Sequence, residues 1–431
     1  MKNRLFALLL APLFAGSATS ALAQSETLLV QPSLPEDFDK SRNVSVLQRA
    51  RPDYDAIGVR AGSFTFFPEV TAALGYSSNV YSSRTDKVDA AYAIVAPAFR
   101  LDSDWSRHKV KLQGGLQAQR FFSESRRNQT PWNLGALAAV DVGPSLRFTP
   151  EVQVSRQYEN AFSGETSTDR AILSNYFRAY GGLRTEYTSG QAKLTLAVDD
   201  TDYEFKDVTL RSGTRIDQAD RDRNILRVTG QAQYALTPSA AIYVQAGYAK
   251  TDYDRALLNG DANRDSKGFR AIAGLNFDLA GLLRGTFGVG YTQRNFRSPL
   301  YDDVGGISVE GKLEYFPSEL TTFTVAVRRV IEDSNLGTNA AFFDNRGLLQ
   351  VDHELRQNVI VSAFGEASRQ AYIDSPLRAD VYRVGTTGNY LSSNWLSLNW
   401  RLTYTGRSVN RDELGRGFNE VLGQVGVTIK R

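Results

Sequence analysis

The chain has 431 residues, 50 Lys and Arg against 47 Asp and Glu, a formal charge of +3, two histidines and no cysteine. The near balance of charge gives no footing for nucleic-acid binding, which needs a clustered excess of cations. The missing thiols exclude disulfides, thiolate metal sites and a lipid-modified N-terminal cysteine.

The N-terminus reads as a secretion signal. Lys2 and Arg4 form a basic start, Phe6 to Phe14 an apolar run, and Ala21-Leu22-Ala23 a small-residue site, with cleavage expected between Ala23 and Gln24. Removing it takes away two bases and no acid, so 50 and 47 become 48 and 47. No later window approaches the roughly 18 apolar residues of a spanning helix. Residues 24–63 lack alternation and carry Pro32, Pro35 and Pro52 among mixed charges, as expected of a periplasmic extension. It is too short for a globular plug; a flexible tail is the first expectation and folding into the barrel mouth the alternative.

From Phe64 to the C-terminus, residues 64–431, apolar and polar side chains alternate with period two. Strand centres fall near Val70, Val95, Gly115, Ala138, Val154, Gly181, Leu196, Gly230 and Ala246, then Gly274, Val289, Gly311, Val325, Val351, Ala363, Thr386, Trp400 and Val425. Eighteen strands with charged residues on one face and aliphatic ones on the other predict an all-β fold, a closed transmembrane antiparallel β-barrel with lipid outside and water inside. Short connections such as Gly143-Pro144-Ser145 and Thr237-Pro238-Ser239 alternate with longer polar ones such as 206–222 and 256–266. Barrels of bacterial outer membranes keep short turns in the periplasm, which fixes the expected orientation. Aromatics near strand ends, among them Tyr76, Tyr81, Phe121, Tyr203, Phe205, Tyr248, Tyr253 and Tyr291, are expected in interfacial girdles.

Taking the less apolar parity of each strand as inward puts Tyr176, Arg178, Tyr180, Arg227, Gln231, Tyr243, Gln245, Arg270, Glu310, Arg328, Glu366 and Arg401 on the pore lining. Both signs are present with amides between them, whereas a strongly ion-selective pore would show one sign dominating. Such a lining suits hydroxylated, weakly charged solutes, with Tyr176, Tyr180 and Tyr243 able to stack on sugar rings. Ladder ion pairs are expected too, for instance Glu310 with Arg328. His108 and His353 sit far apart in sequence, one near a turn and one outward, so no catalytic triad, metal site or cofactor site is expected.

The run Arg51-Pro52-Asp53-Tyr54-Asp55-Ala56-Ile57-Gly58-Val59-Arg60-Ala61-Gly62-Ser63-Phe64, then Pro68 and Gly75-Tyr76-Ser77-Ser78-Asn79-Val80-Tyr81, resembles the opening of the putative beta-barrel porin 2 family. The resemblance implies an outer-membrane barrel, with several members associated with exopolysaccharide biosynthesis and export. The last strand is similar to the assembly signal of outer-membrane proteins through Gln424, Gly426 and Ile429, and departs from it at Arg431. The expected reading is therefore a non-enzymatic, porin-like conduit in the cell outer membrane of a Gram-negative organism, carrying polysaccharide or oligosaccharide. Its expected partners are outer-membrane lipid, the barrel-assembly machinery, a saccharide polymer and periplasmic polysaccharide-export components. A passive uptake porin and a structural or adhesive surface barrel are the alternatives, and the sequence leaves oligomeric state open.

Overall fold

Alternation of side chains along an extended backbone gives each strand two chemically distinct faces, and a sheet that buries neither face in a second layer must close on itself. The computed structural model describes residues 44–163, 172–334, 336 and 339–431, so Ala23 and Gln24 lie outside the described residues. It shows this closure. The strands are β1 (Phe64–Ser77), β2 (Ala90–Ser103), β3 (Lys109–Leu116 continued by Ala118–Phe121), β4 (Trp132–Val142), β5 (Leu146–Tyr158) and β6 (Asn175–Ser189). They continue as β7 (Ala192–Phe205), β8 (Arg223–Thr237), β9 (Ala240–Tyr253), β10 (Ser266–Leu279), β11 (Leu283–Phe296) and β12 (Val304–Ser318). The last six are β13 (Thr321–Asp333), β14 (Ala341–Arg356), β15 (Val359–Tyr372), β16 (Arg378–Leu391), β17 (Leu396–Val409) and β18 (Phe418–Lys430). Each pairs antiparallel with its chain neighbours, and β1 pairs with β18 through Val70↔Ile429 and Leu74↔Val425, leaving no sheet edge in the barrel.

The eighteen expected centres fall one in each strand. In β8, Leu226, Val228, Ala232, Tyr234 and Leu236 point outward while Arg227, Thr229, Gln231 and Gln233 point inward. Outward Val425 is 62 % exposed and inward Gln245 only 4 %. An apolar belt exposed all round a protein is untenable in water and is what a bilayer covers. No helix among the described residues is long and apolar enough to cross a membrane, and the strands do the crossing.

Glycines serve a more specific purpose than general curvature. Gly388 faces Trp400 on the adjacent strand, and a Cβ there would sit 1.9 Å from the indole. Tyr92 over Gly75, Tyr243 over Gly274 and Gly288, and Tyr382 over Gly406 repeat the arrangement. A glycine opposite or beside an aromatic lets the ring lie flat on the sheet, so both faces stay smooth.

Candidate functional site in the barrel lumen

Connections of two to five residues lie at one end of the barrel, the turn end, and those of five to seventeen at the other, the loop end. The inward faces between them carry the chemistry. Glutamine, threonine and serine alternate there with charged residues, many of which are paired with a partner of opposite sign. Arg227 donates to Asp199 at 2.9 Å. Arg270 reaches over β11 to Ser308 and Glu310, both at 2.8 Å, and Arg284 holds Glu314 at 2.8 Å. Arg328 and Arg346 share Asp344 at 2.8 and 3.0 Å, and Arg346 also meets Glu366 at 3.5 Å. Paired charges leave a field of dipoles with no dominant sign.

The expected lining residues are placed as follows. Arg178 donates to Gln153 at 2.9 Å and lies over the Tyr180 ring, which itself folds across Gly182. Gln231 and Gln245 stand directly opposite each other on β8 and β9, and Arg401 stands opposite Gln424 on β18. Tyr243 lies flat over two glycines and is only 3 % exposed, so, contrary to expectation, it offers no ring face to a solute. Two further expectations change. Glu310 and Arg328 are cross-strand partners by register, yet Glu310 pairs with Arg270 and Arg328 with Asp344, because the more deeply buried Asp344 draws two guanidiniums toward it. Tyr176 is inward but only 1 % exposed, packed on Tyr203 and Phe205 with its hydroxyl on Gln157 at 2.9 Å, so it offers no ring face to a solute.

The girdle expectation also divides. Tyr76, Tyr248 and Tyr291 point outward, but Tyr203, Phe205, Phe121, Tyr81 and Tyr253 turn inward at the loop end. There they form apolar collars: Tyr81, Tyr92 and Phe121 in one, and Tyr176, Tyr203, Phe205 and Ile225 in another. Burying loops inside a barrel mouth requires such surface.

The loops use it. The chain leaving β5 crosses to the opposite wall, where Ala161 and Phe162 pack on Val381 of β16 and Phe418 of β18. The Phe162 ring is 4 % exposed and lies between the guanidiniums of Arg346 and Arg383, at 4.9 and 4.6 Å from its centroid. Its carbonyl accepts from Arg346 and from Gln370, both at 3.4 Å. The root of this loop is tied by Glu159 to Arg221 of the β7–β8 loop, which also donates to Gln218 at 2.6 Å. Further round the mouth, Arg223 of β8 and Arg294 of β11 converge on Asp333 of β13, with Arg223 at 3.4 Å. Tyr81 is flanked by Arg127 and Arg211 and donates to Glu124 at 2.6 Å.

At the turn end, residues 44–51 enter the lumen. Val46 is fully buried, its amide donates to Thr322 at 3.0 Å, and Arg49 and Arg51 reach Glu354 at 3.4 and 2.7 Å. The chain then runs to Val59–Ala61, which adds a short strand beside the start of β1. Of the alternatives for the extension, docking in the mouth is the one observed for residues 44–51. Neither Phe162 nor Val46 stands out by periodicity. The signal that could have found Phe162 is an isolated aromatic inside a polar loop. His108 accepts from the Asp141 amide at 3.2 Å, and His353 contacts Thr321 at 2.9 Å, each on its own wall.

The model of the family described as "Putative beta-barrel porin 2" matches residues 51–431, and the chain belongs to that family, an outer-membrane-type porin barrel. No curated protein sequence matches it. Among solved structures it is similar to the outer membrane protein OpdK from Pseudomonas aeruginosa, with 11% identity, 85% of this chain and 99% of that one covered, and a TM-score of 0.45. OpdL from the same organism matches with 12% identity, 86% and 99% coverage and a TM-score of 0.45. The siderophore receptor PirA from Acinetobacter baumannii matches with 8% identity, 84% and 80% coverage and a TM-score of 0.44.

Proposed function

We propose that this porin-family barrel is a non-enzymatic conduit that passes a saccharide polymer or oligosaccharide through the outer membrane, in the secretion direction that the exopolysaccharide association of the family implies. The observation that carries this reading is the lining. Many of its charges are paired, as in Arg227 with Asp199 and Arg270 with Glu310, and amides such as Gln231 and Gln245 stand between them. Fixed dipoles without a net charge exchange hydrogen bonds with sugar hydroxyls and hold no ion strongly. The loop-end and turn-end crossings favour a conduit that opens for its cargo over a permanently open uptake porin. In this reading residues 1–23 are removed on export and the loop end faces outward.

Two measurements test it. Deleting the gene should abolish or sharply reduce secreted polysaccharide while leaving its cytoplasmic precursors present. The purified protein in planar bilayers should give a channel with weak ion selectivity that soluble oligosaccharides block. Unchanged polysaccharide output, together with a pore strongly selective for one ion sign, would overturn the reading.

A further inference from the structure

The outer surface of the barrel holds one feature that transport does not explain. Above the apolar belt at the loop end, the register of β13 to β16 aligns Arg329, Asn345, Arg369 and Asp380 along one rung, all outward. Arg378 lies two residues beyond Asp380, on the same outward face of β16. The rung lies one step past Tyr382 and two residues past Val327, the outward residues that end the apolar belt on β16 and β13. This is the depth at which hydrocarbon gives way to lipid headgroups.

The charges do not cancel. Arg369 and Arg378 share the single carboxylate of Asp380, at 2.8 and 3.2 Å, and their side chains remain 60% and 51% exposed. Arg329 turns toward the loop end, lying 4.1 Å from the centroid of the Phe343 ring, and donates only to neutral oxygens, those of Ile307 (3.0 Å) and Asn345. Three guanidiniums against one carboxylate leave two positive charges on this rung. The hydrogen bonds to Ile307 and Asn345 and the contact with Phe343 hold the Arg329 fork above the hydrocarbon. On the far side, Lys250 is paired with Asp252 at 2.6 Å.

We infer that this rung is a binding site for the phosphate groups of a phosphorylated membrane lipid in the leaflet that meets the loop end. Arginine forks match phosphate oxygens in pairs, and charge-assisted bonds of this kind strengthen where headgroups exclude bulk water. The partly open guanidiniums of Arg369 and Arg378 give one phosphate a two-armed seat, and Arg329 gives a second phosphate another along the rung. The inference rests on the barrel spanning a bilayer and on nothing about its cargo.

The test uses the full-length protein refolded in detergent and native mass spectrometry with a bis-phosphorylated glucosamine-disaccharide lipid. Its enzymatically dephosphorylated form serves as the control probe. Wild-type protein should retain the phosphorylated lipid at least tenfold better than the dephosphorylated one. The double variant Arg329→Gln with Arg369→Gln should lose that preference, the corresponding Lys variant should keep part of it, and Lys250→Gln should keep all of it. Heat-modifiable migration on gels verifies that each variant is a closed barrel. Equal retention of both lipids by wild-type protein, or an undiminished preference in the double Gln variant, overturns the site. Oligosaccharide block of the channel should be the same in this double variant as in wild-type protein. Absence of block in wild-type protein that still prefers the phosphorylated lipid would count against the conduit reading alone.

Discussion

Replacing Phe162 by Ala should open the lumen without unfolding the barrel. The ring is almost wholly buried against Val381 and Phe418 and lies between Arg346 and Arg383. Truncating a packed Phe costs about 3–5 kcal/mol in a rigid core, and each guanidinium contact accounts for about 1 kcal/mol. A loop that can relax recovers part of this, which leaves a weakening of docking of about 2–4 kcal/mol. At tenfold per 1.4 kcal/mol, the ratio of docked to undocked loop falls by about 30- to 700-fold. The strands lose nothing, because Phe162 takes no part in their pairing. In planar bilayers the variant should show a larger mean conductance or a higher open probability, with unchanged heat-modifiable migration. Because the chain has no cysteine, Phe162→Cys gives a second reading: its thiol should react with a small membrane-impermeant reagent far more slowly than an exposed one. A coupling test completes the argument. In a background carrying Arg346→Gln and Arg383→Gln, the further change Phe162→Ala should add less than it does alone, since the removed contacts are shared. Wild-type conductance in Phe162→Ala, with a thiol in Phe162→Cys that reacts as fast as a free one, would refute docking across the lumen.

Other consequences follow from depth and packing. Val425 stands midway along the outward face of β18, whereas Leu398 pairs with Tyr390 at the turn-end girdle. Val425→Arg should therefore cost about 2–4 kcal/mol and Leu398→Arg about 1 kcal/mol or less in reversible folding into lipid vesicles, and equal costs would contradict the depth assignment. Ser397→Arg, which alternation alone would make harmless, should destabilise measurably because Ser397 is inward yet only 8 % exposed. Gly388→Ala drives a methyl into Trp400 and should cost about 1–3 kcal/mol, with the penalty largely removed by a second change of Trp400 to Ala. A persistent penalty in the double variant would point to the backbone instead. An epitope inserted between Ser212 and Gly213, at the exposed tip beyond the Val208–Thr209 and Arg215–Ile216 pairing, should bind antibody on intact cells. Labelling that requires permeabilised cells would invert the orientation.

Strand number, strand position and, within the strand bodies, the face of a side chain were readable because they depend on local alternation. A period-two pattern of Leu226, Val228 and Arg227, Thr229 needs no knowledge of what lies opposite. Partner choice was not readable. Glu310 faces Arg328 across one strand gap, yet the pairing that forms uses Arg270 on one side and Asp344 on the other. The lowest-energy arrangement of long, flexible cations on an inward wall is decided jointly by at least three strands. A buried carboxylate such as Asp344 weights that choice, since leaving it unpaired costs more than leaving a better-hydrated one. The loops escaped for a related reason. Tyr203 and Phe205 lie at a strand end, where an outward aromatic would anchor in headgroups and an inward one would cover a loop, and composition is the same in both cases. What separates them is parity within β7: Leu194, Leu196 and Val198 are outward, so Tyr203 and Phe205, on the opposite parity, are inward. Carried consistently to the end of each strand, the same alternation that counts the strands also marks which mouth is built to hold its loops inside. The partner Phe162 then meets on the far wall is set by barrel closure, through strands nearly 200 residues later in the chain.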